Sequence, residues 1–353
     1  MKRIMKGNEV FVEAALQAGC KFYAGYPITP QNEAPEYMSR RAKDFNAVFI
    51  QSESEISAIN MCFGAAAAGF RCLTSSSSPG ISLKQEGISY ISGAELPCVI
   101  VNIVRGGPGL GNIRASQADY FQATKGGGHG DYKMIVITPS TLQELYNLTM
   151  NAFDYADYYR IPVMILGDGL LGQMFEPLEI TDYKPILPLK EKEYKLDGCK
   201  NRDPRVIKSL FLRPANSLEM HNRHLQEKYD KIKQEINLVE TQQTEDAELI
   251  IVAYGITARI AKAAIEKARS NGIKVGLIRP ITVWPFPSKT ISDACEKTKK
   301  FLAIEMSNGQ LIEDVRLSLC QKAGVTTEHF GIGGGWYPTQ NNIYEKIKEI
   351  CSK

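Results

Sequence analysis

The pattern of apolar and polar positions changes period repeatedly along the first half of the chain. Short apolar runs, typical of buried strands, precede segments in which apolar residues recur every three or four positions, as in amphipathic helices. Strands that alternate with helices in this way predict a doubly wound parallel sheet. The strands are predicted at residues 21–24, 47–50, 71–74, 98–104, 133–137 and 162–166, and the helices at 6–18, 31–41, 55–68, 83–92 and from 140 or 141 to 158.

This alternation stops near residue 180 and returns near residue 248. Residues 181–246 are rich in charge and proline and include a highly charged helix at 218–239, so we interpret them as a linker that wraps or bridges domains. A three-proline loop is predicted at 279–287. The sequence therefore predicts an α/β protein with two doubly wound parallel-sheet domains, residues 1–180 and 247–353, joined by the linker 181–246. The second domain has predicted strands at 249–253, 274–278 and 301–305, and predicted helices at 257–271 and 311–323.

The composition is that of an ordinary globular protein, and it gives little support to nucleic acid or membrane as partners. The chain has 353 residues, 44% of them hydrophobic and 23% charged, with a formal net charge of +3. Because no long Lys/Arg run is present, a nucleic-acid surface has little support. No apolar run reaches the roughly 18 residues of a membrane helix, and no signal-type core follows Met1. We therefore expect a cytoplasmic protein.

Cysteine and histidine are dispersed along the sequence. The eight cysteines occur singly, without a CxxC pair, and most lie in apolar segments as small buried hydrophobes do. A disulfide framework or an iron-sulfur cluster held by this chain alone is not expected. The four histidines are also too far apart in sequence for a zinc site, and we interpret the pair at 221–224 as part of a solvated helix face.

Polar groups follow three successive predicted strands between residues 49 and 111. The first strand leads to Glu53 and Glu55, the second to the serines at 75–78, and the third to Arg105 and a glycine-rich turn. Since the carboxyl ends of parallel strands meet at one edge, where open α/β sheets usually bind ligands, these groups are expected to converge.

Two interpretations of each polar group remain open at this point. Helical spacing places Glu55 on a buried face with Ile59 and Phe63, which favours a protonated or hydrogen-bond-sharing carboxyl group, whereas both acids could instead complement a helix N-terminus. Arg105 can hold a carboxylate ligand bidentately or form a structural salt bridge. Thr29, within the Pro-rich turn 25–30, can contact a ligand or cap the helix 31–41.

Glycine clusters elsewhere carry weak signals. Segments 105–111 and 125–130 lack the lysine and Ser/Thr order of a phosphate loop. The GDG segment at 167–169 is similar to the diphosphate and magnesium motif of thiamine enzymes, but the asparagine that motif requires would fall in the charged linker, at 195–201. We reject that interpretation.

Taken together, six segments resemble the thiamine-diphosphate-dependent 2-oxoacid:ferredoxin oxidoreductases. The resemblance is to the chain that carries the pyrimidine-binding domain and the transketolase-C-terminal-like domain, and it covers nearly everything outside the linker. Its details are most similar to the branched-chain (2-oxoisovalerate) members. The segments are GYPITP (25–30), QSESEISAINMCFGAAAAG (51–69), TSSSSPGISLKQEG (74–87), GAELPCVIVNIVRGGPGLG (93–111), RPITVWPFP (279–287) and EMSNGQL (305–311).

The resemblance implies a role for particular residues. Glu55 matches the glutamate that hydrogen-bonds N1′ of the cofactor's aminopyrimidine and is the implied catalytic residue. Thr29 and Arg105 match positions that bind the oxo and carboxylate groups of the substrate. The residues before Thr29 are implied to contact the cofactor: Tyr26, Pro27 and Ile28. The serines at 75–78 are expected to line the same cavity without an assigned role.

The resemblance also implies what this chain lacks. Thiamine diphosphate is shared with a partner subunit that binds the diphosphate and Mg²⁺, and 4Fe–4S clusters are carried by partner subunits, so the chain alone is expected to be inactive. The implied reaction converts a branched-chain 2-oxoacid and coenzyme A to acyl-CoA, CO₂ and reduced ferredoxin.

Alternative functions remain open from the sequence. Within the family, 2-oxoglutarate or pyruvate could be the substrate, although Arg114 is the one further cation that could meet a second substrate carboxylate. Outside this activity, the chain could be a non-catalytic scaffold or assembly subunit, or a nucleotide-binding dehydrogenase.

Overall fold

A seven-stranded sheet forms the centre of the first part of the molecule. The computed structural model describes residues 2–320 and 322–352. Six strands of this sheet run parallel, and the edge strand β12 is antiparallel to β6. The order is β12 (Thr282–Trp284), β6 (Ile135–Ile137), β7 (Pro162–Asp168), β5 (Cys98–Val104), β4 (Cys72–Ser76), β2 (Phe22–Gly25) and β3 (Val48–Gln51).

Helices accompany this sheet, and the central strands β4, β5 and β7 are buried along their whole length. Burial on both faces explains why β5 and β7 read as nearly continuous apolar runs rather than alternating ones. The helices are α1 (Gly7–Gln17), α2 (Glu33–Arg41), α3 (Glu55–Ala67), α4 (Ser78–Gly93), α5 (Tyr120–Thr124), α6 (Leu142–Tyr159) and α7 (Gly169–Gln173), with a 3₁₀ turn at Ala42–Phe45. A small antiparallel ribbon pairs β1 (Lys2–Lys6) with β8 (Phe175–Glu179).

A second sheet of five strands lies in the C-terminal part. Its order is β14 (Thr326–Gly331), β13 (Lys300–Glu305), β10 (Leu249–Val252), β11 (Val275–Pro280) and β9 (Val239–Gln242). The accompanying helices are α9 (Gly255–Ser270), α10 (Ser288–Ala294), α11 (Leu311–Leu319) and α12 (Gln340–Cys351), and α8 (Ser217–Glu235) lies in the linker. The predicted fold class, α/β with parallel-dominated sheets, is confirmed.

The two sheets exchange edge strands. Residues 279–287, predicted to be a loop, contain β12, which pairs with β6 of the first sheet. The loop prediction was wrong here because Thr282, Val283 and Trp284 are β-formers that become buried against β6, while the prolines lie only at the strand ends. In turn, β9 leaves the linker and pairs antiparallel with β11. The domain limits 1–180, 181–246 and 247–353 stay a prediction. Strands β9 and β12 each pair with a strand that lies on the other side of one of these limits.

Gln117, in the part of the chain that forms the first sheet, makes hydrogen bonds to residues of the C-terminal part. Its backbone N–H donates to the carbonyl of Met306 (2.9 Å), and its Oε1 accepts from the Met306 N–H (2.9 Å). Its Nε2 donates to the carbonyl of Tyr254 (3.0 Å). These three buried hydrogen bonds, two made by the side-chain amide and one by the backbone, fix the relative position of the two sheets.

Within the described part of the chain, no helix combines the length and apolarity needed to cross a bilayer.

Candidate functional site

The carboxyl ends of β3, β2, β4 and β5 lie side by side along one edge of the large sheet. These strands are consecutive neighbours in the sheet and all parallel, so the segments that follow them share that edge. The contacts described below join the Thr29 turn, the entry to α3, the serine loop and Arg105. The convergence that the sequence predicted is present.

Glu55 begins α3 and is nearly buried, with 5% of its surface exposed. Ser54 caps the helix instead, because its hydroxyl accepts the Ser57 N–H at 3.2 Å. Ile59, one turn further on, is buried on the same face. Among the described residues, none donates a hydrogen bond to the Glu55 carboxylate. A buried carboxylate without a protein donor is costly unless a ligand supplies one.

Gly80, in the first turn of α4, packs directly against this carboxylate. A methyl group at Gly80 would lie 2.5 Å from Oε1 of Glu55 and would clash with Oγ of Ser76. The absence of a side chain at Gly80 therefore allows α4 to approach Glu55 and the serine loop closely.

The four serines of this loop differ in what they contact. Ser75 is part of the core, because its Oγ donates to Oε1 of Gln31 (2.6 Å) and lies 2.7 Å from the Tyr23 hydroxyl. Ser78 supports Arg105, whose N–H donates to Oγ at 3.0 Å. Ser76 and Ser77 are fully buried, and no protein group pairs with their hydroxyls among the described residues. These two are the serines available to a ligand, a distinction that the sequence did not provide.

Arg105 follows β5 and is 8% exposed. Its Nη1 donates to the carbonyl of Thr29 (3.0 Å) and its Nη2 to the carbonyl of Leu110 (3.0 Å), while Nε is buried without a partner. In residues 2–320 and 322–352 no carboxylate forms a salt bridge with it, so the structural ion pair is not what holds this arginine. Its positive charge is available at the site.

Thr29 is not the cap of α2. The helix begins at Glu33 with Asn32 in the cap position, so the capping interpretation was wrong. Thr29 lies in the turn against Arg105, and its hydroxyl is 3.4 Å from Nδ2 of Asn32. Tyr26 and Pro27 are exposed and Ile28 is partly exposed at the same turn. They form the outer rim of the site.

Lys84 is a buried group that the sequence analysis missed. It lies one turn after Gly80 on α4, is fully buried, and donates from Nζ to Oγ1 of Thr74 at 2.9 Å. Burial lowers the pKa of Lys84 to about 8, an effect that the nearby Cys62 and Glu55 oppose. Its position in the segment SLKQEG gives no sign of burial, because lysine usually marks a solvated face.

The GDG segment has a structural role. Oδ1 of Asp168 accepts the N–H groups of Leu170 (2.9 Å) and Leu171 (3.1 Å) and so caps the short helix α7. Burial raises the pKa of Asp168 to about 6. The rejection of GDG as a diphosphate motif stays a prediction.

Two family models cover most of the chain. Residues 13–243 match the model described as pyruvate flavodoxin/ferredoxin oxidoreductase, thiamine diphosphate-binding, and residues 247–343 match pyruvate:ferredoxin oxidoreductase core domain II. The chain therefore belongs to the 2-oxoacid:ferredoxin oxidoreductase family, as the sequence resemblance predicted. It carries a thiamine diphosphate-binding domain of that family.

Individual relatives refine this family membership. The chain is 46% identical to the ketoisovalerate oxidoreductase subunit VorB of Methanothermobacter marburgensis, over 99% of this chain and 98% of the relative. It is 38% identical to the 2-oxoglutarate synthase subunit KorA of Methanocaldococcus jannaschii, over 90% and 92% of the two chains. The first relative is named as an oxidoreductase subunit and the second as a synthase subunit.

Solved structures show the same fold. The 2-oxoglutarate:ferredoxin oxidoreductase from Magnetococcus marinus, with 2-oxoglutarate, coenzyme A and succinyl-CoA bound, superposes with a TM-score of 0.87 at 25% identity. That likeness covers 99% of this chain and 65% of the solved chain. A split-gene transketolase superposes with a TM-score of 0.63 at 13% identity over 99% and 98% of the two chains, and shares the fold alone.

Proposed function

We propose that this chain supplies the pyrimidine-binding half of a thiamine diphosphate site in a heteromeric oxidoreductase that acts on a branched-chain 2-oxoacid. The observation that carries the proposal is the Glu55 carboxylate, which is buried, has no protein donor among the described residues, and lies against the backbone of Gly80. The carboxylate fits an aminopyrimidine ring, because a buried carboxyl group can share a proton with a ring nitrogen.

Glu55 would hold that proton at Oε1, and the Ser76 and Ser77 hydroxyls offer hydrogen bonds to other polar atoms of the ring. Tyr26, Pro27 and Ile28 would bound the ring from the rim. When bound, thiamine diphosphate supplies the nucleophilic carbon and the electron sink that decarboxylation of a 2-oxoacid requires. The contribution of this chain is orientation, exclusion of water and proton placement.

Arg105 and Thr29 would bind the 2-oxoacid. Nε of Arg105 is buried without a partner, and only two of the five guanidinium N–H groups bond to the backbone carbonyls of Thr29 and Leu110. The remaining donors can meet a substrate carboxylate, and the Thr29 hydroxyl can meet the oxo group. The two carbonyls hold the guanidinium in one orientation, which favours a defined approach of the substrate.

Preference for an apolar substrate side chain is supported by the turn after Arg105. Leu110 and Ile113 project apolar side chains that are 84% and 61% exposed. The guanidinium of Arg114 stacks over the Trp336 ring at 4.7 Å, which restricts its position. The higher identity to ketoisovalerate oxidoreductase subunits than to 2-oxoglutarate synthase subunits points the same way.

Partner subunits complete the proposed enzyme. They would provide the diphosphate-binding domain with Mg²⁺ and the 4Fe–4S clusters, and ferredoxin would accept the electrons while coenzyme A accepts the acyl group. The chain by itself would be inactive, and a cytoplasmic location stays a prediction.

The test is to purify the chain with its native partner subunits and compare coenzyme A-dependent ferredoxin reduction with 2-oxoisovalerate, pyruvate and 2-oxoglutarate. We expect the highest kcat/KM with 2-oxoisovalerate. A clear preference for 2-oxoglutarate would overturn the substrate assignment, and no thiamine diphosphate dependence with any substrate would overturn the proposed activity.

A further inference from the structure

Three cysteines that are far apart in the sequence meet in the core behind Glu55. Cys62 lies on α3, and Cys72 and Cys98 are the first residues of the adjacent parallel strands β4 and β5. Their sulfur atoms all lie within 4.8 Å of one another, and each residue is at most 1% exposed. In residues 2–320 and 322–352, no other group of three or more potential metal-ligating side chains approaches this closely. We call these residues the thiol trio.

Lys84 places a positive charge beside the thiol trio. Its one hydrogen bond within the described chain is to a neutral hydroxyl, that of Thr74, at 2.9 Å, and no carboxylate forms a salt bridge with it there. Its electrostatic partners are Cys62, Glu55 and Cys98. An ammonium group buried without an anionic hydrogen-bond partner is costly, and the cost falls if an anion forms next to it.

We propose that Cys62, Cys72 and Cys98 bind one soft divalent metal ion as three thiolates. Thiolate is the ligand that soft cations select. With metal–sulfur bonds near 2.3 Å, the value for zinc, a trigonal site has sulfurs about 4.0 Å apart, which is compatible with the 4.8 Å limit that encloses the three sulfur atoms.

Charge also balances in this site. Binding releases one proton from each thiol, and three thiolates with a divalent cation carry one net negative charge, which the Lys84 ammonium neutralises. No oxidant or reductant is needed. The site provides three sulfur ligands without a fourth cysteine, histidine or carboxylate in the group, whereas structural Zn²⁺ sites almost always have four ligands, so the soft ion Cd²⁺ serves as the probe.

The test uses the full-length chain, kept reduced and without oxygen, with the exposed Cys199 and Cys320 and the partly exposed Cys351 replaced by serine to remove surface thiols. Cd²⁺ is titrated while the ultraviolet sulfur-to-cadmium charge-transfer band and proton release are followed. We expect one Cd²⁺ per chain and one proton released per trio thiol. Cys72→Ser or Cys98→Ser should abolish tight binding, whereas Cys295→Ser, at a buried thiol outside the trio, should leave it unchanged.

A second measurement does not depend on how the serine variants fold. X-ray absorption of the Cd²⁺-loaded chain should show three sulfur neighbours, and Cys62, Cys72 and Cys98 should be the thiols that Cd²⁺ protects from alkylation. Competition with Zn²⁺ shows which of the two ions the site prefers. If Zn²⁺ at equal concentration displaces Cd²⁺, zinc is the preferred ion. If it does not, Cd²⁺ is the preferred ion. Absence of one-to-one binding, fewer than three sulfur neighbours, or binding that survives both trio substitutions would overturn the proposal.

Discussion

Two buried glutamates lie at strand-to-helix junctions in this molecule, and they differ in what surrounds them. Glu305 ends β13, is fully buried, and accepts the N–H groups of Gln310 (2.9 Å), Leu311 (2.9 Å) and Ile312 (3.1 Å) together with the Ser307 hydroxyl. Glu55 begins α3, is almost as buried, and accepts from none of the described residues. Both carboxylates are therefore buried, but of the two only Glu305 accepts hydrogen bonds from the described residues.

This contrast indicates which carboxylate can take part in chemistry. Glu305 completes the N-terminus of α11, where a negative charge is favourable, and both of its oxygens accept hydrogen bonds from the protein. Its donors therefore come from the fold. Glu55 retains its acceptor capacity, so a ligand rather than the fold is expected to satisfy it.

The largest effect is expected for Glu55→Gln in the assembled complex. Loss of the ionisable group should reduce coenzyme A-dependent ferredoxin reduction by about 10²–10⁴-fold, the usual contribution of a positioned acid or base. Glu53→Gln is the matched control, because Glu53 is exposed and its Oε1 accepts only from the Ser57 hydroxyl (2.8 Å). Near-normal turnover in Glu55→Gln would contradict the catalytic role and support the alternative of a non-catalytic scaffold subunit.

Gly80→Ala should act by displacing the Glu55 carboxylate rather than by removing it. The added methyl group meets Oε1 of Glu55 and Oγ of Ser76, so overpacking of about 2 kcal/mol should weaken thiamine diphosphate binding by roughly 30-fold. Calorimetric titration of the complex measures this. Gly93→Ala in the same helix meets nothing within 4 Å and serves as the control. Equal affinities in the two variants would mean that cofactor binding does not depend on the position of the Glu55 carboxylate.

Glu305→Gln should show the opposite profile. An amide has one acceptor oxygen in place of two, so some of the donors at the start of α11 lose their partner, and we expect a loss of about 1–3 kcal/mol in the free energy of unfolding. Denaturant titration measures it, with Glu313→Gln in the first turn of the same helix as the control. Turnover per folded complex should remain near normal, and a catalytic defect without destabilisation would contradict the structural role.

Leu110→Lys should have the smallest effect and concerns selectivity alone. A cation beside the Arg105 turn should raise the kcat/KM for 2-oxoglutarate relative to that for 2-oxoisovalerate by roughly fivefold. The reason is that an exposed ion pair contributes up to about 1 kcal/mol. Leu317→Lys, at a leucine that is 66% exposed on α11, should leave the ratio unchanged. An unchanged ratio in both variants would place the selectivity outside this turn.

Much of the fold was predictable because the chain obeys local rules. Apolar runs such as β5 and β7 and the helical spacing through Glu55 and Ile59 indicated elements that the structure contains. The convergence of Glu55, Thr29 and Arg105 also followed from the rule that parallel strands end at one edge. The roles of these three residues stay predictions.

The features that could not be predicted from the sequence depend on contacts between residues that are far apart in the chain. Whether Ser76 or Ser75 is free follows from the position of Tyr23 and Gln31, and the burial of Lys84 follows from the packing of α4 on the sheet. The strand β12 was missed for the same reason, since its pairing with β6 joins segments that are far apart in the sequence. Local periodicity contains no information about such pairings.

The strand exchange between the two sheets has a practical consequence for anyone who cuts the chain. A fragment that stops at the end of the linker would keep β6 but lack β12, which leaves a bare row of backbone donors and acceptors along an apolar strand. The complementary fragment would carry Thr282–Trp284 with nothing to pair it. Division of the gene at the predicted boundary would thus leave each fragment with an unpaired strand that is prone to aggregate, so we expect the two parts to be handled best as one chain.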